Sequence, residues 1–355
     1  MEDSAPPESL GNAVMAETKP LATLDEMRAL ITHLPGPDLE AGSAAATREA
    51  QLTKPAGALG RLEELTQWMA TWQGKHPPSA GHPRTAVFAG NHGVAARGVS
   101  AYPASVTAQM VKNFIDGGAA VNQLCKTVDA DLRIYEMALD EPTADFTTGR
   151  AMSEEDCALA LAYGMMAVEP GIDVLALGEM GIANTTAAAA LCCGLFDGSA
   201  ADWVGPGTGV AGAALERKLA AVDEAMRRHR GAARDGFDWL ARVGGRELAA
   251  IAGAIIAARR ARVPVVLDGY ATTAAAAVLF ALDPRALDHC IVAHCSAEPG
   301  HARLLEKLGK RPLLDFGMRL GEASGATLAL LIIKAALACH TGMATFAQAG
   351  VSGKE

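Results

Sequence analysis

The sequence predicts an α/β fold: a mainly parallel sheet flanked by helices, with a smaller helical subdomain. Three observations predict it. Six short runs are largely apolar at consecutive positions, as strands covered on both faces would be. Helical patterns stand between them, and strand–helix alternation builds parallel sheets. Alanine supplies much of the apolar content while aromatics are scarce, a composition that favours closely packed helices.

In chain order, residues 1–20 are polar and Pro-bearing. They lack the apolar run of a signal peptide and read as a flexible tail. Over 22–80 the pattern is helical, with Leu62, Leu65, Met69 and Trp72 on one face. Strands are expected at 85–89, 132–135, 173–177, 202–204, 263–267 and 290–294. Between the fourth and fifth, Leu215, Leu219, Val222 and Met226 recur at helical spacing with charges opposite them. The chain ends in a helical stretch over 305–355. The expected division is an α/β core at 85–304 and a mostly helical subdomain from 22–80 plus 305–355. The apolar runs 271–282 and 328–339 are too short to span a bilayer, and Lys334 interrupts the second. No membrane attachment is expected.

The net charge of −9 comes without any dense Lys/Arg block, which argues against nucleic-acid binding. A small phosphorylated ligand stays admissible, because amides at a helix start bind anions locally. The seven cysteines, Cys125, Cys157, Cys192, Cys193, Cys290, Cys295 and Cys339, form no CxxC pair. They read as reduced core thiols of a cytoplasmic protein rather than as a zinc site or disulfide framework.

Chemistry is expected where strands end. Five strand ends carry Gly with small polar or acidic residues: after FAG, after LALG, after WVG, after VVLD and after AHCS. Ligands of open parallel sheets bind beyond the carboxyl ends of the strands, so five such ends favour one shared site. In GEMGIANTT, Gly181 permits close backbone approach, and Asn184, Thr185 or Thr186 caps the next helix. The segment reads either as an anion site at a helix start or as an ordinary strand-to-helix turn. Glu179 would repel a phosphate and suits a ribose hydroxyl or a base N–H better. Gly207, Thr208 and Gly209 form a second candidate phosphate loop that is neither a P-loop nor GxGxxG.

His92 reads first as structural, and no second His or carboxylate stands at metal-ligand spacing to it. Asp315-Phe316-Gly317 spells a kinase tripeptide without the other kinase segments. Glu322 begins a long apolar helix. It is either a dipole-favoured acid or a general base in an apolar pocket with Met318 and Leu320, where burial would raise its pKa.

At these residues the chain resembles the nicotinate-nucleotide–dimethylbenzimidazole phosphoribosyltransferases. The resemblance runs from about Leu52 to Val351. It rests on KPAGALGRLE, NHGVAARGVSAYPASVTAQM, GEMGIANTTAAAA, VGPGTG, LDGY, SAEPGH and DFGMRLGEASGATLA in that order. It implies a homodimer with a Rossmann-like nucleotide-binding core and no metal or organic cofactor. The implied reaction moves phosphoribose from nicotinate mononucleotide to 5,6-dimethylbenzimidazole, giving α-ribazole 5′-phosphate and nicotinate. Glu322, of RLGE, is the implied base. Lys218 matches the family's lysine beyond the VGPGTG loop, and Asp268 and Ser296 are expected among the substrate-binding groups. Tyr102, Met110, Met318 and Leu320 are expected to flank the benzimidazole. Asn91 and Ala323 depart from the family's usual Asp and Gly. Two rivals remain at this level: a Rossmann dehydrogenase, which lacks its GxGxxG here, and a non-catalytic nucleotide binder, which would have lost Glu322.

Overall fold

The computed structural model describes residues 22–352, and the tail expected at 1–20 lies outside them. Five apolar runs pair into one parallel sheet: β1 Pro83–Ala89, β2 Asp131–Glu136, β3 Val174–Met180, β4 Val265–Leu267 and β5 Cys290–Val292. Their order is β2-β1-β3-β4-β5. The chain steps outward from β1 to β2, then returns past β1 to build the other half. Reversal between β1 and β3 opens a crevice at the carboxyl ends. Register places Leu177 opposite Leu267, so β3 continues past β4 with Gly178, Glu179 and Met180.

The period-2 alternation of strands splits the interior into two layers. Phe88, Leu175, Leu177 and Leu267 face one core, and Val87, Val174, Ala176 and Val266 face the other. On the first face, helices Glu154–Met165 and Arg246–Arg260 cross closely. A Cβ at Gly164 would collide with the Ala250 carbonyl, and one at Gly253 with that of Leu161. Alanine-rich helices Asn184–Phe196 and Tyr270–Leu282 pack against each other on this side. On the second face lies Ser324–Gly342, between the sheet and helices Arg61–Gln73 and Ala120–Val128.

The helix Ser324–Gly342 extends the expected apolar run 328–339 to 19 residues, long and apolar enough by composition to cross a membrane. Its Leu330 and Ile333 are fully buried in the sheet core, and Lys334 donates to the Val128 carbonyl. The chain's two ends meet beside it. Helix Leu39–Gln51 packs on Arg61–Gln73, Arg48 Nε donates to the His340 carbonyl at 2.8 Å, and Leu52 bridges to Thr345. Helix Leu24–Thr32 instead packs against Glu154–Met165.

The strand expected at 202–204 does not form. Residues Ala200–Asp202 make a 3-10 turn, closed by the Ser199 N–H donating to the Asp202 carboxylate at 2.8 Å. Trp203 is wholly buried, and its indole N–H donates to the Asp197 carbonyl at 2.9 Å. The run is apolar because Trp203 anchors a loop, not because it pairs in a sheet.

Candidate active site

Beyond β3, β4 and β5 the loops enclose a cavity of about 540 Å³. Each wall follows from a local constraint. After β3 the chain turns tightly, since a Cβ at Gly181 would lie 2.7 Å from the Gly90 carbonyl. Ala183 takes a left-handed φ of 74°, and the helix Asn184–Phe196 starts at the cavity. Asn184 Nδ2 donates to the Glu179 carboxylate.

Thr185 Oγ1 accepts from Lys218 Nζ at 2.8 Å, and the same ammonium donates to the Gly205 carbonyl at 2.9 Å. Lys218 is 1% exposed. Burial pushes its pKa down to about 8, against an upward pull from Glu298.

The VGPGTG loop spends much of its donor capacity internally. The Gly207 N–H donates to Glu298 Oε1 at 2.8 Å, and the Gly209 N–H to the Pro206 carbonyl at 2.9 Å. Thr208 Oγ1 accepts from the Ala101 N–H at 3.1 Å, which brings the segment carrying Tyr102 to the cavity mouth. Glu298 Oε2 is buried without a hydrogen-bond partner.

The opposite wall is the segment 313–323, laced across the strand ends. The Ala297 N–H donates to the Met318 carbonyl at 3.0 Å, Arg319 to the Gly207 carbonyl at 3.1 Å, and the Glu322 N–H to the Glu179 carbonyl at 3.1 Å. It presses so close that a Cβ at Gly178 would collide with the backbone of Ala323. Glu322 and Ala323 adopt positive φ of 63° and 57°, a conformation that costs a residue with a Cβ about 1 kcal/mol or more.

The charge pattern is lopsided. Glu179, Glu298 and Glu322 line the cavity, Asp268 lies directly behind, and Arg319 is the cation on the wall. Burial first, then the charges of Asp268 and Glu247, raise the Glu179 carboxyl to about 8, although the Asn184 hydrogen bond opposes this. Burial and Asp268 raise Glu322, which is 5% exposed, to about 7.

Of the residues singled out in the sequence, Glu179, Gly181, Asn184, Thr185, Gly207 and Thr208 line the cavity, as do Ser296, Glu322, Tyr102, Met110 and Leu320. Lys218 and Asp268 sit one layer behind it, bonded to Thr185 and to the Ala326 N–H. Gly209 and Met318 are near in chain but not on its wall. His92 is not there either: it is buried, with Nε2 2.7 Å from Glu247 Oε1. Asn91 ties its loop down through Nδ2 to the Leu139 carbonyl at 2.9 Å.

Among the wall residues that sequence reasoning passed over are His294, Glu298 and Arg319. His294 was absorbed into a strand run and Glu298 into a turn. Arg319 carried a signal, standing three residues before the candidate base. Among the described residues no group of three or more His, Cys, Asp or Glu side chains is placed to hold a metal ion.

Residues 34–351 match the DBI_PRT phosphoribosyltransferase family. The chain belongs to this family. It is 58% identical over 331 residues to the nicotinate-nucleotide–dimethylbenzimidazole phosphoribosyltransferase of Sinorhizobium fredii, covering 93% of this chain and 98% of that one. It is 56% identical to the protein of the same name from Brucella anthropi, with the same coverage of both chains. Among solved structures, CobT from Thermus thermophilus superposes with a TM-score of 0.83 at 42% identity, covering 89% of this chain and all of that one. Family membership thus covers the sheet, the cavity and the segment bearing Glu322 together.

Proposed function

We propose that this chain transfers phosphoribose from nicotinate mononucleotide to 5,6-dimethylbenzimidazole, giving α-ribazole 5′-phosphate and nicotinate, in cobalamin nucleotide-loop assembly. The observation that carries the reading is Glu322. It is a buried carboxylate of raised pKa at the end of an aromatic-sized cavity that opens beside a helix start.

Nicotinate leaves without acid help, because its ring nitrogen is cationic in the glycoside and neutral afterwards. The benzimidazole nitrogen attacks C1′ from the opposite face, turning a β-linkage into an α-linkage. As that bond forms, the far N–H becomes acidic and Glu322 accepts the proton. A base with pKa about 7 has a useful ionised fraction at neutral pH and still binds a proton firmly.

Tyr102, Met110 and Leu320 flank the flat apolar base, and Met110 adapts to its shape. The phosphate lies at the start of helix Asn184–Phe196, near Thr185, with Lys218 behind and Arg319 swinging from the Gly207 carbonyl. Glu179, with pKa about 8, stays protonated at neutral pH, so it donates a hydrogen bond to a substrate oxygen rather than repelling the phosphate. Ser296 completes the ribose side. We take the working form to be a homodimer in the cytoplasm. All seven thiols are free, as a reducing compartment keeps them.

Incubation with both substrates, followed by mass analysis, should yield α-ribazole 5′-phosphate. Glu322→Gln should bind both substrates yet turn over at least ~100-fold more slowly, the scale of a lost general base. Absence of the product with the wild-type chain would sink the reading.

A further inference from the structure

His294 is 1% exposed and forms part of the cavity wall, yet neither of its ring nitrogens has a hydrogen-bond partner. Burying an unsatisfied imidazole costs about 1–3 kcal/mol, so the fold would not keep it there for packing alone. Its place is also shaped for it. A Cβ at Gly325 would collide with the ring, and one at Gly269 would come within 3.2 Å of Nε2. The ring is held with Nε2 3.6 Å from Asp268 Oδ1. That is an electrostatic contact, just outside hydrogen-bond range.

Asp268 is wholly buried and carries an orphan of its own. Oδ1 accepts from the Ala326 N–H at 2.9 Å, while Oδ2 has no partner. The Ala326 bond anchors the first turn of helix Ser324–Gly342, immediately after the two left-handed residues Glu322 and Ala323. Strained backbone of this kind persists only where neighbours over-determine it. Here the neighbours are the Glu179 carbonyl on one side and Asp268 on the other.

We propose that Asp268 and His294 are a positioning pair for Glu322: Asp268 pins the loop that carries the base and faces it with a buried negative charge, and the His294 ring packs against that carboxylate and holds it in place. The proposal rests on Glu322 being the base. The negative charge of Asp268 makes Glu322 a more avid proton acceptor. The other groups facing the pair are Glu179 from the end of β3, with Glu247 behind it, Glu298 after β5, and His301, whose ring centroid is 6.4 Å from that of His294. The cations nearby are Arg319 on the wall and Lys218 beneath Thr185.

The test is the pH profile of kcat at saturating substrates for the full-length wild type, Asp268→Asn, His294→Gln and Glu322→Gln. Asn keeps an oxygen for the Ala326 N–H but loses the charge. Asp268→Asn should therefore shift the acid limb to lower pH by half a unit or more and lower kcat. His294→Gln removes the ring that holds Asp268 in place, so the limb should shift in the same direction by a smaller amount. KM for nicotinate mononucleotide should change less than threefold in both. Limbs that stay at the wild-type pH, or that move to higher pH, would overturn the pair while a slow Glu322→Gln kept the base reading intact. A Glu322→Gln variant as fast as wild type would overturn the base reading, and the pair with it. Thermal unfolding checks that each variant is folded. If His294→Gln is not, Asp268→Asn decides alone, and an unmoved limb refutes the proposal.

Discussion

Lys218 shows how one side chain can serve a site without touching its surface. Its ammonium is buried beneath Thr185, whose hydroxyl oxygen it holds at 2.8 Å, so its charge reaches the cavity through that oxygen. A depressed pKa of about 8 means the charge is present at neutral pH and is lost as pH rises through 8. Lys218→Met should raise KM for nicotinate mononucleotide roughly 10-fold or more, since a hydrogen bond to a charged group contributes about 1.5–3 kcal/mol. It should change kcat much less. The wild-type KM should climb above pH 8, and the variant's should not follow it. Initial-rate kinetics between pH 6 and 9 would read this, and parallel pH dependence in both proteins would remove Lys218 from phosphate binding.

At the scale of elements, the glycines decide how closely parts approach. Gly164 and Gly253 let helices Glu154–Met165 and Arg246–Arg260 touch backbone to backbone. Gly164→Ala places a methyl against the Ala250 carbonyl, a rigid partner. Overpacking of this kind costs about 1–3 kcal/mol. Urea unfolding should show a lower midpoint, while KM for both substrates stays at the wild-type value, because neither Gly164 nor Ala250 lines the cavity. An unchanged midpoint would mean the helices can separate freely.

The same scale explains what the sequence made legible. Apolar runs at 85–89, 132–135, 173–177, 263–267 and 290–294 marked all five strands; buried strands such as β1 leave no polar alternation to misread, and the edge strand β2, half exposed, was marked by Leu132, Ile134 and Tyr135. The run at 202–204 misled because a buried Trp and Val look alike whether they pair or anchor. The segments after β3, β4 and β5 and the VGPGTG loop converged on one cavity, as the crevice rule for parallel sheets requires, whereas Asn91 and His92 after β1 stay off its wall. What was not legible was layering. Nothing in the spacing of Asp268 or Lys218 says that each stands behind the wall, and nothing in VGPGTG says that Glu298 takes the Gly207 amide. These depend on which loops the fold brings together: 33 residues of chain separate Thr185 from Lys218, 58 separate Asp268 from Ala326 and 91 separate Gly207 from Glu298.

The whole molecule carries a carboxyl-rich cavity at a cost to its own stability, and pH should expose that cost. Glu322 has a folded pKa of about 7, raised from the ordinary 4.5. A group raised in this way favours folding while it is protonated, and that contribution is lost as pH rises through the folded value. Two and a half units correspond to on the order of 3 kcal/mol between the two limits, and Glu179, raised to about 8, acts in the same sense. The ligand-free wild type should therefore lose stability from pH 5 to pH 8 relative to Glu322→Gln, which has no proton to lose. The two melting temperatures should lie close together at pH 5. At pH 8 the variant should melt several degrees higher, although the proposed mechanism makes it the poorer catalyst. Thermal unfolding of both proteins at the two pH values reads the difference directly. An offset that is the same at pH 5 and pH 8 would show that Glu322 ionises in the folded chain as readily as in the unfolded one, and its buried setting could then not be what prepares it to act as a base.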